Sequence, residues 1–221
     1  DIPLWMVAVA TAFSVIIGKE VFGGTGMNIF NPALLARAFV FFAYTPYISG
    51  EKVWIAGLTK GEGIVDGFSG ATPLGDAASA VLNHTKEIIW TQGGPLEWFL
   101  GTMPGSIGET SKLAILIGAV ILLVFKVIDL RIPLSCLLSF SVFAILFGGH
   151  GFDLHFLAAQ LCAGGLMLGT FFMATDYVTS PITKNGQIVY GCIIGIFTGV
   201  FRFLGSASEG VSYAIILSNL L

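Results

Sequence analysis

The stretch Lys19–Pro32, KEVFGGTGMNIFNP, stands between two apolar runs, Pro3–Ile17 and Ile29–Tyr44. The architecture turns on this break. Gly, Asn and Thr interrupt any helix arriving from Pro3–Ile17, and Pro32 suits the first position of a new one. A second break of the same kind, Met173–Gly186 (MATDYVTSPITKNG), again joins one apolar run to the next. That quasi-symmetry predicts an inverted repeat. The remaining apolar runs are Lys112–Ile128, Ile132–Phe147, Leu154–Ala174, Ile188–Leu204 and Val211–Leu221. Several fall short of the ~20 residues that cross a bilayer core as a helix. Short or broken spans place helix ends at membrane depth, where they line a cavity. The expected fold is an all-α integral membrane protein, a multi-helix transmembrane bundle with short and broken helices.

Composition agrees. Ten Lys plus Arg and thirteen Asp plus Glu make the 221-residue chain only 10% charged, where soluble domains carry about 25%. Its mean hydropathy is +0.90. A net charge of −3 without a basic tract excludes a nucleic-acid binder, and the apolar content excludes disorder. Cys136, Cys162 and Cys192 lie apart in apolar surroundings without a CxxC pair, and read as structural thiols. Asp1-Ile2-Pro3 offers no basic n-region, so the first run reads as a span and not a signal peptide. The chain starts in one apolar segment and stops in another, and is expected to be part of a longer polypeptide.

Three regions follow: 1–44, transmembrane helices with the broken GxNxxNP segment; 45–111, an extramembrane loop rich in Gly, Pro, Thr and Ser; and 112–221, further transmembrane helices. Lys126 and Arg131 bracket one tight turn and Lys184 marks another. Positive residues in short loops predict a cytoplasmic face there and an extracytoplasmic one for 45–111, despite its Lys52, Lys60 and Lys86. A structureless loop of that length is expected to have a task.

Within it Asp66-Gly67-Phe68-Ser69-Gly70-Ala71-Thr72 crowds the smallest side chains around a hydroxyl, which lets a bulky group approach the backbone. The alternative is a Gly-rich turn whose Thr72 caps a helix beginning at Pro73. His150, Asp153 and His155 (HGFDLH) superficially resemble metal ligands, but the i, i+5 spacing is poor for one helical face and no third motif accompanies it. They read as a solvated interfacial cluster, His84 reads as a loop histidine, and no metal site is expected. Trp5, Trp54, Trp90 and Trp98 suit an interfacial aromatic belt. Arg202 and Glu209 flank the last turn and either bridge or face water; Asp176 either orders its Gly/Pro-rich break or lines an ion path. No acid/base dyad, nucleophile triad or nucleotide loop is present, so no catalytic residue is assigned.

The heptapeptide Asp66–Thr72 resembles the flavinylation sequence of the NqrB/RnfD family, membrane subunits of the sodium-translocating NADH:quinone oxidoreductases (Nqr) and of the Rnf electron-transport complexes. The resemblance extends over nearly the whole chain: GGTGMNIFNPALLARAF at Gly23–Phe39, PGSIGETSKLA at Pro104–Ala114, FFMATD at Phe171–Asp176 and EG at Glu209–Gly210. Phe41–Trp54 (FFAYTPYISGEKVW) is similar to the sodium-pump member of the family and Asp176–Pro181 (DYVTSP) to the Rnf member.

The resemblance implies a fold like that of urea and ammonium transporters and FMN attached by a flavin transferase through a phosphoester to Thr72, with Asp66, Ser69, Gly70 and Ala71 completing the motif. It also implies a noncovalent riboflavin near Asn28 and Asn31. A planar amide offers both donor and acceptor to an isoalloxazine edge, whereas a structural reading has both Asn residues satisfying backbone where a helix begins before Pro32. Arg37, costly unpaired in a membrane, either stabilises a reduced anionic flavin or pairs with an acid such as Glu20 or Asp176. The implied function is electron relay in a multi-pass subunit of a bacterial inner membrane. A partner flavoprotein that carries a second covalent FMN delivers electrons to FMN on Thr72, and they pass by riboflavin to quinone, coupled to sodium movement. In the Rnf alternative, ferredoxin and NAD exchange electrons through the larger complex. A solute channel of the urea or ammonium kind also suits broken helices, but has no need of DGFSGAT on a large loop. A pure scaffold would be colourless.

Overall fold

The structure, a computed structural model, describes residues 2–44, 47, 95–101, 110–205 and 210–221. Among them every regular element is helical. In chain order these are α1 (Leu4–Gly18) with a 3₁₀ turn Glu20–Phe22, α2 (Pro32–Ala43), α3 (Pro95–Leu100), α4 (Lys112–Val124) and α5 (Arg131–Phe147). There follow α6 (Leu154–Cys162), α7 (Leu166–Leu168) continued by a π turn Gly169–Met173, α8 (Lys184–Phe203) and α9 (Val211–Ser218). Asp66, Ser69, Gly70, Ala71 and Thr72, with Trp54, Trp90 and His84, lie outside the described residues.

The 20 residues of α8 rise about 30 Å, the thickness of a bilayer core. Two helices among the described residues, Leu4–Phe22 and Lys184–Phe203, are long and apolar enough to cross alone. By contrast α2, α4 and α5 have 12, 13 and 17 residues. The apolar run Leu154–Ala174, expected to be one span, is two pieces bent by 63° at Ala163–Gly165. The bend has a local cause: Ala163 is extended (φ −92, ψ 147) and Gly164 takes φ +64, a left-handed value that glycine adopts without penalty.

The centre of the bundle is the α5–α8 pair. Gly191, Gly195 and Gly199 recur every fourth residue and share one buried face of α8. A Cβ at Gly191 would stand 2.6 Å from the Ile132 carbonyl oxygen, one at Gly195 2.9 Å from the Phe140 nitrogen, and one at Gly199 2.8 Å from the Phe143 ring. The two backbones therefore touch, as small residues spaced four apart permit inside a membrane. Leu34, Phe140, Phe156, Leu166, Ile194 and Ile215 bring α2 and α5 to α9 into one core. Buried hydroxyls in this core are satisfied on their own helices: Thr198 donates to Ile194 O at 2.8 Å and Ser218 to Ala214 O at 2.7 Å.

Trp98 departs from the aromatic belt expected of it. It is 1% exposed and packs with Ala159 and Cys162, so α3 is anchored on α6 by its largest side chain. Trp5, 54% exposed and edge-on to Tyr44 at 5.5 Å, keeps the amphipathic surroundings of a belt residue.

Candidate functional site

Two irregular places interrupt the bundle. The first is the GxNxxNP segment. Gly23, Gly24 and Gly26 all take positive φ (118°, 87° and 89°), which reverses the chain after the 3₁₀ turn. Asn31 then caps α2: its Oδ1 accepts from the Ala33 N–H at 3.0 Å, with Pro32 at the first helical position. Asn28 Nδ2 donates to Phe30 O at 3.1 Å. Both amides thus perform the backbone work anticipated for them, and each keeps a half in reserve. Among the described residues Asn28 Oδ1 and Asn31 Nδ2 make no hydrogen bond, and both side chains are half-buried. Arg37 follows on α2, half-buried, about 9 Å along the axis from the cap. Asn28 and Asn31 therefore share one turn, with Arg37 further along the same element.

The second place is the α6–α7 break. The last turn of α6 leaves carbonyls without helical partners, and the helix dipole makes that end negative. Two buried cations answer it. Arg202, in the last turn of α8, donates through Nη1 to Gln160 O (2.6 Å) and Gln160 Oε1 (3.3 Å) and through Nη2 to Ala163 O (3.2 Å). Its guanidinium lies 5.2 Å from the Phe140 ring centroid, a cation–π contact. Lys112, 1% exposed, donates to Gly164 O at 3.0 Å. Irregular backbone inside the bundle is thus satisfied by protein cations, one condition under which a broken helix survives at membrane depth. Beyond the break, the π turn carries Thr170, which donates to Leu166 O at 2.6 Å and sits 3.7 Å from Cys136 Sγ.

Sequence reasoning left Lys112 without a role and gave Arg202 a solvent-facing or bridging one. A signal for Lys112 existed: a cation in the first turn of a helix opposes the dipole of its own helix, so a lysine opening an apolar run needs a partner elsewhere. Asp176 orders its turn, accepting from Thr179 Oγ1 at 3.4 Å and Val178 N at 3.5 Å. Asp153 caps α6 through the His155 N–H at 2.9 Å, and His150 stacks on Phe156 with centroids 4.4 Å apart. No group of three potential metal ligands exists among the described residues. Cys136, Cys162 and Cys192 are free thiols.

A helical membrane protein with short spans, one of them broken, is the class these features define. The model of the NQR2, RnfD, RnfE family matches residues 1–221, and the chain belongs to that family. Among curated relatives, the NqrB protein of the Na(+)-translocating NADH-quinone reductase of Chromohalobacter salexigens is 41% identical over 226 residues, 99% of this chain and 52% of the relative. The like-named proteins of Azotobacter vinelandii and Klebsiella pneumoniae are 43% and 42% identical over 228 residues, covering 100% and 99% of this chain and 53% of each relative. The chain spans about half the length of these relatives.

Proposed function

We propose that this chain forms the electron-relaying membrane part of a sodium-translocating NADH:quinone oxidoreductase, holding FMN by a phosphoester on Thr72 and riboflavin beside Asn28 and Asn31. The observation that carries the reading is agreement over residues 1–221 with one family, together with the Asp66–Thr72 motif. The relatives described above bear the name of the sodium pump, which favours that assignment over the Rnf one.

The chain's own residues fit a flavin at the GxNxxNP segment. Asn28 has a spare acceptor and Asn31 a spare amide donor on adjacent turns of backbone, the complement of a flavin edge that presents carbonyls and an N–H. Their other halves are fixed to Phe30 O and Ala33 N, so the reading groups are held in place before any ligand arrives. Arg37 supplies positive charge on the same helix. Bound there, riboflavin would supply the one- and two-electron chemistry that protein side chains lack. Asp66, Ser69, Gly70 and Ala71 would keep the surroundings of the Thr72 hydroxyl small enough for a flavin phosphate to reach it. The relay runs from a partner flavoprotein bearing a second covalent FMN toward quinone and is coupled to sodium translocation, in a bacterial inner membrane with the 45–111 segment extracytoplasmic.

Co-expression with a flavin transferase tests this. The denatured chain should fluoresce under ultraviolet light on a gel, and Thr72→Ala should be dark. Fluorescence that survives in Thr72→Ala removes that residue from the site. A wild-type chain dark beside a labelled control protein favours the solute channel.

A further inference from the structure

The turn between α4 and α5 holds a third feature, unrelated to either break. Lys126 is the only non-glycine residue with positive φ (55°) among the described residues. It occupies the position after the α4 cap where glycine is usual: the Val127 N–H reaches Leu122 O at 2.9 Å and the Lys126 N–H reaches Leu123 O at 3.0 Å, a complete Schellman pair. Beside it opens a cavity of about 480 Å³, whose polar lining is Lys126, Asp129, Thr175, Tyr177, Ser180 and Gln187. Charge in the cavity is one-sided. Asp129 is paired with Arg131, while the Lys126 ammonium has no ion pair or hydrogen bond among the described residues. The Tyr177 and Ser180 hydroxyls likewise donate to nothing described.

Below the cavity the outer faces of α4 and α5 are apolar and open: Val124, Phe125, Leu134 and Leu138 are 71%, 75%, 52% and 59% exposed. A cation with two free hydroxyls above an apolar ridge, at the end of a bundle where spans leave the membrane, matches one amphipathic ligand. We propose that the cavity holds the phosphate headgroup of an anionic phospholipid, with Lys126 as its counter-charge and the acyl chains along the α4–α5 ridge. Basic pockets between membrane helices recognise anionic headgroups by this arrangement of charge.

Native mass spectrometry of the purified full-length protein, released from nanodiscs of phosphatidylglycerol and phosphatidylcholine, reads the site directly. Wild type should retain phosphatidylglycerol in preference. Lys126→Gly suits the positive φ and keeps the turn, and it should lower that retention by about fivefold, the worth of one lysine at an anionic surface. Lys126→Gln, which keeps the long side chain without its charge, should do the same. Lys184→Ala removes an exposed cation outside the cavity and should change nothing. Equal retention of both lipids by wild type, or retention unchanged in both Lys126 variants, overturns the proposal. Displacement of the bound lipid by millimolar inorganic phosphate assigns the cavity to a soluble anion and overturns it as well.

Discussion

The α5–α8 pair and the α6–α7 span sit side by side in one bundle and solve the membrane problem in opposite ways. In the first, every backbone group is satisfied within its own helix, and close approach comes from removing side chains at Gly191, Gly195 and Gly199. In the second, the helix stops at Cys162 and its free carbonyls are met by charges, Arg202 and Lys112, that arrive from other elements. Uninterrupted helices need only shape. A break needs polar partners, and it inherits their cost: each cation is stable in the bundle only while its carbonyls are there, and the carbonyls only while the cation is. Arg202 links the two regions, because it stands on α8 and reaches the end of α6.

Several substitutions separate these two modes. Arg202→Ala leaves the Gln160 and Ala163 carbonyls buried without their donors and should destabilise the protein by about 3 kcal/mol, read as a lower melting temperature in detergent. Hydrogen exchange should rise around 160–166 more than in α5. Arg202→Lys should recover only part, since an ammonium cannot reproduce the two-armed contact. Gly195→Ala forces α5 and α8 apart and should cost about 2 kcal/mol, with the exchange pattern reversed: α5 and α8 loosen first. Lys112→Met keeps the length of the side chain and removes its charge. Loss of the bond to Gly164 O should cost about 1.5 kcal/mol, and equal stability would show the break does not rely on it. Asn31→Ala should cost about 1 kcal/mol through the lost cap.

Asn31 also bears on the flavin question. Asp caps as well as Asn but has no amide donor. Asn31→Asp should therefore hold stability near wild type while lowering extractable riboflavin and leaving covalent FMN unchanged. Unchanged riboflavin in this variant and in the Asn28→Ala, Asn31→Ala double variant confines both residues to backbone work.

What was legible in the sequence follows the same division. The helices at Leu4–Gly18, Arg131–Phe147 and Lys184–Phe203 lie where long apolar runs stand between polar turns, because continuous helices leave that pattern. The GxNxxNP break was legible too, since Asn and Pro announce a cap. The Ala163–Gly165 break was not: Ala-Gly-Gly counts as apolar, and no proline or charge marks it. Its stabilisers were hidden for a different reason. Arg202 and Gln160 are 42 residues apart and Lys112 and Gly164 are 52 apart, so the pairing exists only in the folded chain. The stripe Gly191, Gly195, Gly199 was open to reading by its four-residue spacing, yet a window of average hydropathy does not register it. The flavin assignment rests on a motif in the long loop and a family likeness, a chemical signal that helix packing does not carry.

The electron-relay reading meets its hardest test in mass spectrometry of the peptide that contains Thr72, taken from the native membrane complex of cells making the transferase. That peptide should be heavier by one FMN less water, with the fragment ions placing the added mass on Thr72. An unmodified mass, from a preparation whose partner flavoprotein is labelled, would refute the relay.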